Sequence, residues 1–183
     1  GCFGDGGAIF TNNKFLADKI RMIANHGQKK KYHHKYIGVN SRLDTIQAAV
    51  LNVKLKYLEG YSLARREAAN QYDRQLKDLE GINLPIRSHF SSHVFHQYTI
   101  HVKNGKRDLL KKYLEDNGIP AMIYYPIPLN QQEAFILLGK TSGVLENTKI
   151  LCDTVLSLPM HTELKNDQID YIANEIKAFF SKQ

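Results

Sequence analysis

Gly38-Val39-Asn40-Ser41-Arg42-Leu43-Asp44-Thr45-Ile46-Gln47-Ala48-Ala49 opens the strongest periodic stretch in the chain. From there Leu43, Ile46, Val50, Val53, Tyr57, Tyr61, Ala64, Ala68, Tyr72, Leu76 and Leu79 follow one another at intervals of three and four. Steps of that size return apolar side chains to one face of an α-helix. The spacing predicts a long helix over 41–81, with Ser41 as its N-cap and Asp44 favourable in its first turn. At 1.5 Å per residue it would run ~55 Å, longer than a small domain is wide. It is therefore expected to join two parts of the protein and to bend near Gly60, a weak spot in a helix.

Upstream, Ala8-Ile9-Phe10-Thr11 is short, apolar and β-prone, and Asn12-Asn13 supplies a turn after it. Phe15, Leu16, Ile20, Ile23 and Ala24 recur at helical spacing between Lys14 and Asn25, with Gly27 as the expected stop. The basic run from Lys29 to Lys35 and the segment Tyr36-Ile37-Gly38-Val39-Asn40 then read as a long connection. Downstream of Gly81 and Pro85 the pattern changes. Val94, His96, Tyr98, Ile100 and Val102 alternate with more polar residues, as a half-buried strand does. An amphipathic helix is expected over 106–117, stopped by Gly118, and a second strand over 119–125. Helices are also expected over 145–154 and from an Asn166 cap onward, with the apolar run Leu156–Met160 between them.

These readings give an α/β chain in three parts. Residues 1–40 form the tail of a large domain, 41–81 the connecting helix, and 82–183 a small α+β domain with a short, mostly antiparallel sheet.

Length and composition agree with a globular protein. The chain has 183 residues, of which 43% are hydrophobic and 23% charged. No run approaches the ~20 apolar residues of a membrane helix, and no signal peptide is visible, so a cytoplasmic location is expected. Two cysteines, Cys2 and Cys152, are too few for a disulfide framework and read as packing residues. A formal charge of +7 would suit an anionic partner, and much of it sits at Lys29-Lys30-Lys31-Tyr32-His33-His34-Lys35. A solvated loop and a nucleic-acid-binding or regulatory face both remain open there. The opening Gly1-Cys2-Phe3-Gly4-Asp5-Gly6-Gly7 has no initiator Met and fits neither glycine-rich nucleotide motif, so the sequence reads as starting within a site.

Three groups of residues could carry chemistry. Asn40-Ser41-Arg42 lies where a loop meets the expected helix, so free N–H groups and the positive end of the dipole would favour an anion. Asn40 can donate to a phosphate oxygen, and Arg42 offers a planar fork for a carboxylate. A helix cap with a surface ion pair would use the same residues. Tyr124-Tyr125-Pro126-Ile127-Pro128 sets two phenols at a strand end beside a rigid turn, either as core packing or as the wall of a sugar site. His26, His33, His34, His96 and His101 have no metal-ligand spacing, and no metal is expected. Surface or hydrogen-bonded histidines are the better reading, with His96, on the apolar face of its strand, a candidate for a cleft.

Taken together, Gly1–Ile9, Tyr32-His33-His34, Gly38–Ala49, His96-Gln97-Tyr98, Tyr125-Pro126-Ile127-Pro128-Leu129 and Leu156-Ser157-Leu158-Pro159-Met160 resemble the DegT/DnrJ/EryC1/StrS family of sugar aminotransferases. The matches run in family order over essentially the whole chain. The Gly38–Asp44 run and Asn130 look most like the members that aminate UDP-2-acetamido-2-deoxy-3-oxo-glucuronate for bacterial surface polysaccharide. A dTDP- or other UDP-linked keto sugar is the second choice.

The resemblance implies the C-terminal portion of a fold type I enzyme that uses pyridoxal 5'-phosphate (PLP) and works as a homodimer with interfacial active sites. It implies glutamate as amino donor and a UDP- or dTDP-keto sugar as acceptor, with no nucleic acid or membrane partner. The lysine that forms the Schiff base would stand upstream of Gly1, so no catalytic residue is assigned within the sequence and the chain alone is expected to be inactive. Asn40 would reach the phosphate of the partner's PLP. Arg42 would approach the substrate, and Tyr124 and Tyr125 would line the sugar pocket. Relatives often carry His at the position of Tyr124, which leaves the exact sugar open. A family dehydratase, with histidine in place of the lysine, is the alternative within the family.

Overall fold

The computed structural model describes residues 1–136 and 145–182. Its contacts divide into two compact units, Gly1–Glu59 and Gly60–Gln183.

In the first unit, helix α1 spans Lys14–Ala24 and is capped by Asn13, whose Oδ1 accepts from Leu16 N at 3.0 Å. The helix ends before Gly27, which takes a φ of +75° and donates its N–H to Met22 O at 2.7 Å. The basic run folds as a hairpin of two short antiparallel strands, β1 (Gln28–Lys30) and β2 (His33–His34), where a connection was expected. Tyr32 turns the hairpin at a φ of +66°. The chain then returns so closely that a Cβ on Gly27 would fall onto the Tyr36 carbonyl, and one on Gly38 onto Gly27 N. Only glycine permits that crossing. Residues 8–11, expected as a strand, are irregular: a lone apolar run forms no ladder without a partner strand.

The periodic stretch forms two helices, α2 (Thr45–Leu55) and α3 (Leu58–Leu76). The interruption falls at Lys56–Tyr57, where Tyr57 N bonds Lys54 O at 3.0 Å and tightens the last turn. Gly60, the expected bend, is helical and has open space beside it. The helix also starts later than expected. Asp44 is the N-cap at ψ 143°, and Ser41 lies in the extended segment before it.

The second unit owns the core. Strands β3 (Ile82–Asn83), β4 (Tyr98–Val102) and β5 (Val155–Leu158) form an antiparallel sheet in that order, with Ile100 opposite Leu156. Tyr98, Ile100 and Val102 are buried on one face of β4, as the period of two requires. Against them pack Ala69, Tyr72 and Leu76 of α3, Leu110 and Leu114 of α4 (Arg107–Asp116), and Ile169, Ile172 and Ile176 of α7 (Asn166–Ser181). Each large side chain buried this way contributes about 1.5–3 kcal/mol. The Tyr72 and Tyr98 rings stack at 4.8 Å, and their hydroxyls donate to Pro159 O and Asp73 Oδ1. Burial pushes both phenols well above their ordinary range, Tyr98 further because Asp73 faces it.

Three expectations shift here. The strand begins at Tyr98, because Phe95 takes a φ of +46° and breaks the alternation; Phe95 is buried while Val94 and His96 are exposed. His96 is therefore exposed and not on the apolar face expected of it. Residues 119–125 make only a bridge, Met122 to Ser157, since Pro120 has no N–H to extend a ladder. At the start of α7 the cap position is Lys165, whose N–H donates to Gln168 Oε1 at 3.0 Å, and Asn166 is the first helical residue. A short α5 (Glu133–Ile136) and α6 (Glu146–Thr154) complete the unit. Among the described residues no helix is long and apolar enough to cross a membrane.

Candidate functional site

Asn40 and Arg42 are held in place by backbone. His26 N donates to Val39 O at 2.9 Å, Val39 N to Ile23 O at 2.8 Å and Ser41 N to Ala24 O at 2.9 Å, so residues 39–41 are laced onto the end of α1. Arg42 Nε donates to Asn40 Oδ1 at 3.2 Å. That bond engages the acceptor of the Asn40 amide and leaves its NH2 end as a donor beside the guanidinium. Both residues are exposed. The pair is a cluster of donors suited to an anion. The helix dipole does not support it in the way expected, because α2 begins only at Thr45.

The glycine-rich opening is tied to α2. Phe3 N donates to Gln47 Oε1 at 2.8 Å, and Cys2 Sγ to Gly4 O at 2.8 Å. A Cβ on Gly4 would press on the Gln47 amide at 3.1 Å, and one on Gly6 on Leu43 at 3.1 Å. Gln47 was not singled out in the sequence, although it stands within the stretch that announces the helix; a polar residue on an otherwise apolar helix face was the available signal.

In the second unit, Met122 N and O exchange hydrogen bonds with Ser157 at 3.0 and 2.8 Å, which hangs the following segment from the edge of β5. Tyr124 and Tyr125 come next, 40% and 72% exposed, with ring centroids 5.9 Å apart at 70°. Pro126 and Pro128 keep the chain extended into a 3-10 turn at Leu129–Gln131. The two tyrosines line a cavity of about 560 Å³. Thr148, Leu151 and Cys152 of α6, together with Val155, line it as well. Its described lining contains no charged side chain. An aromatic and aliphatic wall with a few polar tips suits a sugar ring or other weakly polar group.

The two pairs lie in different units: Asn40 with Arg42 in one, Tyr124 with Tyr125 in the other. The basic hairpin is exposed, with His34 Nδ1 at 2.8 Å from His26 O and Lys31 over the Tyr32 ring. Among the described residues no group of three His, Cys, Asp or Glu could hold a metal ion.

Residues 2–177 match the DegT/DnrJ/EryC1/StrS aminotransferase family. The chain is 43% identical over 182 residues to the pleiotropic regulatory protein of Geobacillus stearothermophilus, covering 98% of this chain and 48% of that protein. It is 43% identical over 172 residues to the UDP-2-acetamido-2-deoxy-3-oxo-D-glucuronate aminotransferase of Pseudomonas aeruginosa, covering 94% and 46%. A crystal structure of a DegT DnrJ EryC1 StrS aminotransferase from Brucella abortus superposes with a TM-score of 0.89 at 42% identity, covering 98% of this chain and 47% of that one. The chain spans about half the length of the curated relatives it matches.

Proposed function

The chain belongs to the DegT/DnrJ/EryC1/StrS aminotransferase family, and on that premise we propose that it is the C-terminal part of a PLP-dependent enzyme that transfers an amino group from glutamate to a nucleotide-linked 3-keto sugar. A UDP-3-keto-uronate is the favoured acceptor, for bacterial surface polysaccharide biosynthesis, with the cytoplasm the favoured location of the protein and a homodimer the favoured assembly. The observation that carries this reading is the 43% identity to an aminotransferase named for such a uronate. The basic nucleic-acid-binding module is not favoured once the family is known.

The residues present fit the cofactor's phosphate and the acceptor's carboxylate. The Asn40 amide, with its oxygen engaged by Arg42, would have its NH2 group to donate to a phosphate oxygen. The Arg42 fork can grip a uronate with two parallel hydrogen bonds. Tyr124 and Tyr125 offer flat faces for the sugar, and the aliphatic side of their cavity excludes water. When bound, the cofactor would supply the electron sink, and a lysine before Gly1 would carry the proton. Positioning and charge are the tasks left to this chain.

The test is the complete protein loaded with PLP, its visible absorption followed as glutamate and then a UDP-3-keto-uronate are added. Glutamate should abolish the cofactor band and the keto sugar should restore it. A band indifferent to both would overturn the reading. In the same assay Arg42→Ala should slow the sugar step about 10–100-fold, the worth of a charged hydrogen bond, and leave the glutamate step within about twofold. Equal losses in both steps would remove Arg42 from the uronate.

A further inference from the structure

We propose that Arg107 is a positioning residue that fixes the α6 wall of the Tyr124–Tyr125 cavity and so sets the grip on the sugar substrate; the substrate half of this inference rests on the aminotransferase reading. Arg107 is the first residue of α4, where the positive end of the helix dipole disfavours a cation. Its side chain is nevertheless only 11% exposed. A guanidinium taken out of water needs partners for its donors. Arg107 finds them across the unit: Nε donates to Asp108 Oδ1 at 2.6 Å, and Nη1 to Cys152 O at 2.8 Å and Val155 O at 3.5 Å. The last two carbonyls lie at the C-terminal, negative end of α6, where a cation is favoured.

Most of α6 is exposed or half-buried, and its end runs straight into β5, where Val155 pairs with His101. The helix has nine residues, too few to be stable as an isolated helix. Cys152 is its one buried residue, and its cap position, Leu145, makes no side-chain hydrogen bond. At its end Thr154 Oγ1 donates to Ile150 O at 2.7 Å and lies 3.3 Å from His101 Nδ1. Yet Thr148, Leu151 and Cys152 of this helix, with Val155 just beyond it, line the same cavity as the two tyrosines. The width of the cavity is therefore set by where α6 stops, and the carbonyls at that point are the ones Arg107 holds. Because the described lining carries no charge, the cavity suits a neutral sugar ring better than the two carboxylates of the donor. A disturbance of α6 should reach one substrate only.

Arg107→Lys retains the charge but loses the planar fork that serves a carboxylate and two carbonyls at once. In the complete, PLP-loaded protein this variant should raise KM for the keto sugar nucleotide about tenfold and leave kcat and the glutamate half-reaction within about twofold. Arg107→Gln should do more in the same direction; if it does not fold, the lysine variant carries the test. Equal losses for both substrates, or no loss for either, would overturn the proposal. Hydrogen exchange reads the anchor without the reaction. Amides of residues 149–154 should exchange about tenfold faster in Arg107→Lys, with α4 and α7 unchanged, and unaltered exchange in α6 would also overturn it. If the unsubstituted protein shows no transamination, the aminotransferase reading fails, and the exchange experiment still decides whether Arg107 holds α6.

Discussion

Residues 1–59 and 60–182 are built from the same kinds of residue and held together in opposite ways. The second unit turns its apolar side chains inward, around Tyr72, Tyr98, Ile100, Leu110, Leu114, Leu156 and Ile176, all essentially inaccessible to water. The first buries only one residue, Gly27, and exposes Phe3, Ile9, Phe10, Phe15, Ile46 and Val53. Its order comes from backbone: the hydrogen bonds that lace 39–41 to α1, and two glycines close enough to touch. Periodicity alone does not reveal that difference. α2 continues the apolar spacing that α3 uses to build the core, yet none of its side chains is buried. A hydrophobic stripe reports that a face is to be covered, not that this chain covers it.

Substitutions can sharpen or break the contrast. The largest expected effect is in the second unit, where Leu114→Ala removes a fully buried side chain and should cost about 2–5 kcal/mol in denaturant unfolding. A loss under about 1 kcal/mol would mean that the unit is looser than its packing implies. Next comes the glycine crossing. Gly27→Ala forces a side chain into positive φ, at about 1–2 kcal/mol before any clash with Tyr36, so the Val39 and Ser41 amides should exchange faster in hydrogen exchange while the α3 core stays protected. Protection lost in both units together would show them to be one cooperative body. The smallest effect is expected from Ile46→Ala. Ile46 is 76% exposed, and its truncation should move the stability of this chain by less than about 0.5 kcal/mol. A cost near 2 kcal/mol would show that the face is already covered, for example by a second copy.

Much of the architecture could be read from the sequence because it follows local rules. α1, α4, α6 and α7 lie within a few residues of their expected places, and Gly118 stops α4 with a φ of +72°. The misses have tertiary causes. Ser41 is drawn away from α2 because its N–H is taken by Ala24 O. Phe95 leaves the strand pattern with its carbonyl bound to Arg65 and the Arg87 guanidinium over its ring at 4.1 Å, contacts made from distant parts of the chain. The candidate site was named in pieces. Asn40 with Arg42 and Tyr124 with Tyr125 came from residue type and resemblance. Gln47 left only a polar residue on an apolar helix face, and Arg107 was passed over, since each reaches a backbone group that has no signature in sequence. Arg107 did leave one clue, a cation at the wrong end of a helix.

The Gly27–Gly38 crossing has a consequence for how this protein can vary. The chain leaves the crossing at residue 27 and returns to it at residue 38, so the basic hairpin is a closed excursion with both ends pinned. Its length and residues can change without displacing Asn40, and doubling such a loop costs only about 0.6 kcal/mol in closure entropy. Residues 28–37 are thus an interchangeable cassette. An engineer could graft a different hairpin there, and natural drift could exchange its charges, while Asn40 and Arg42 downstream stay on their mark.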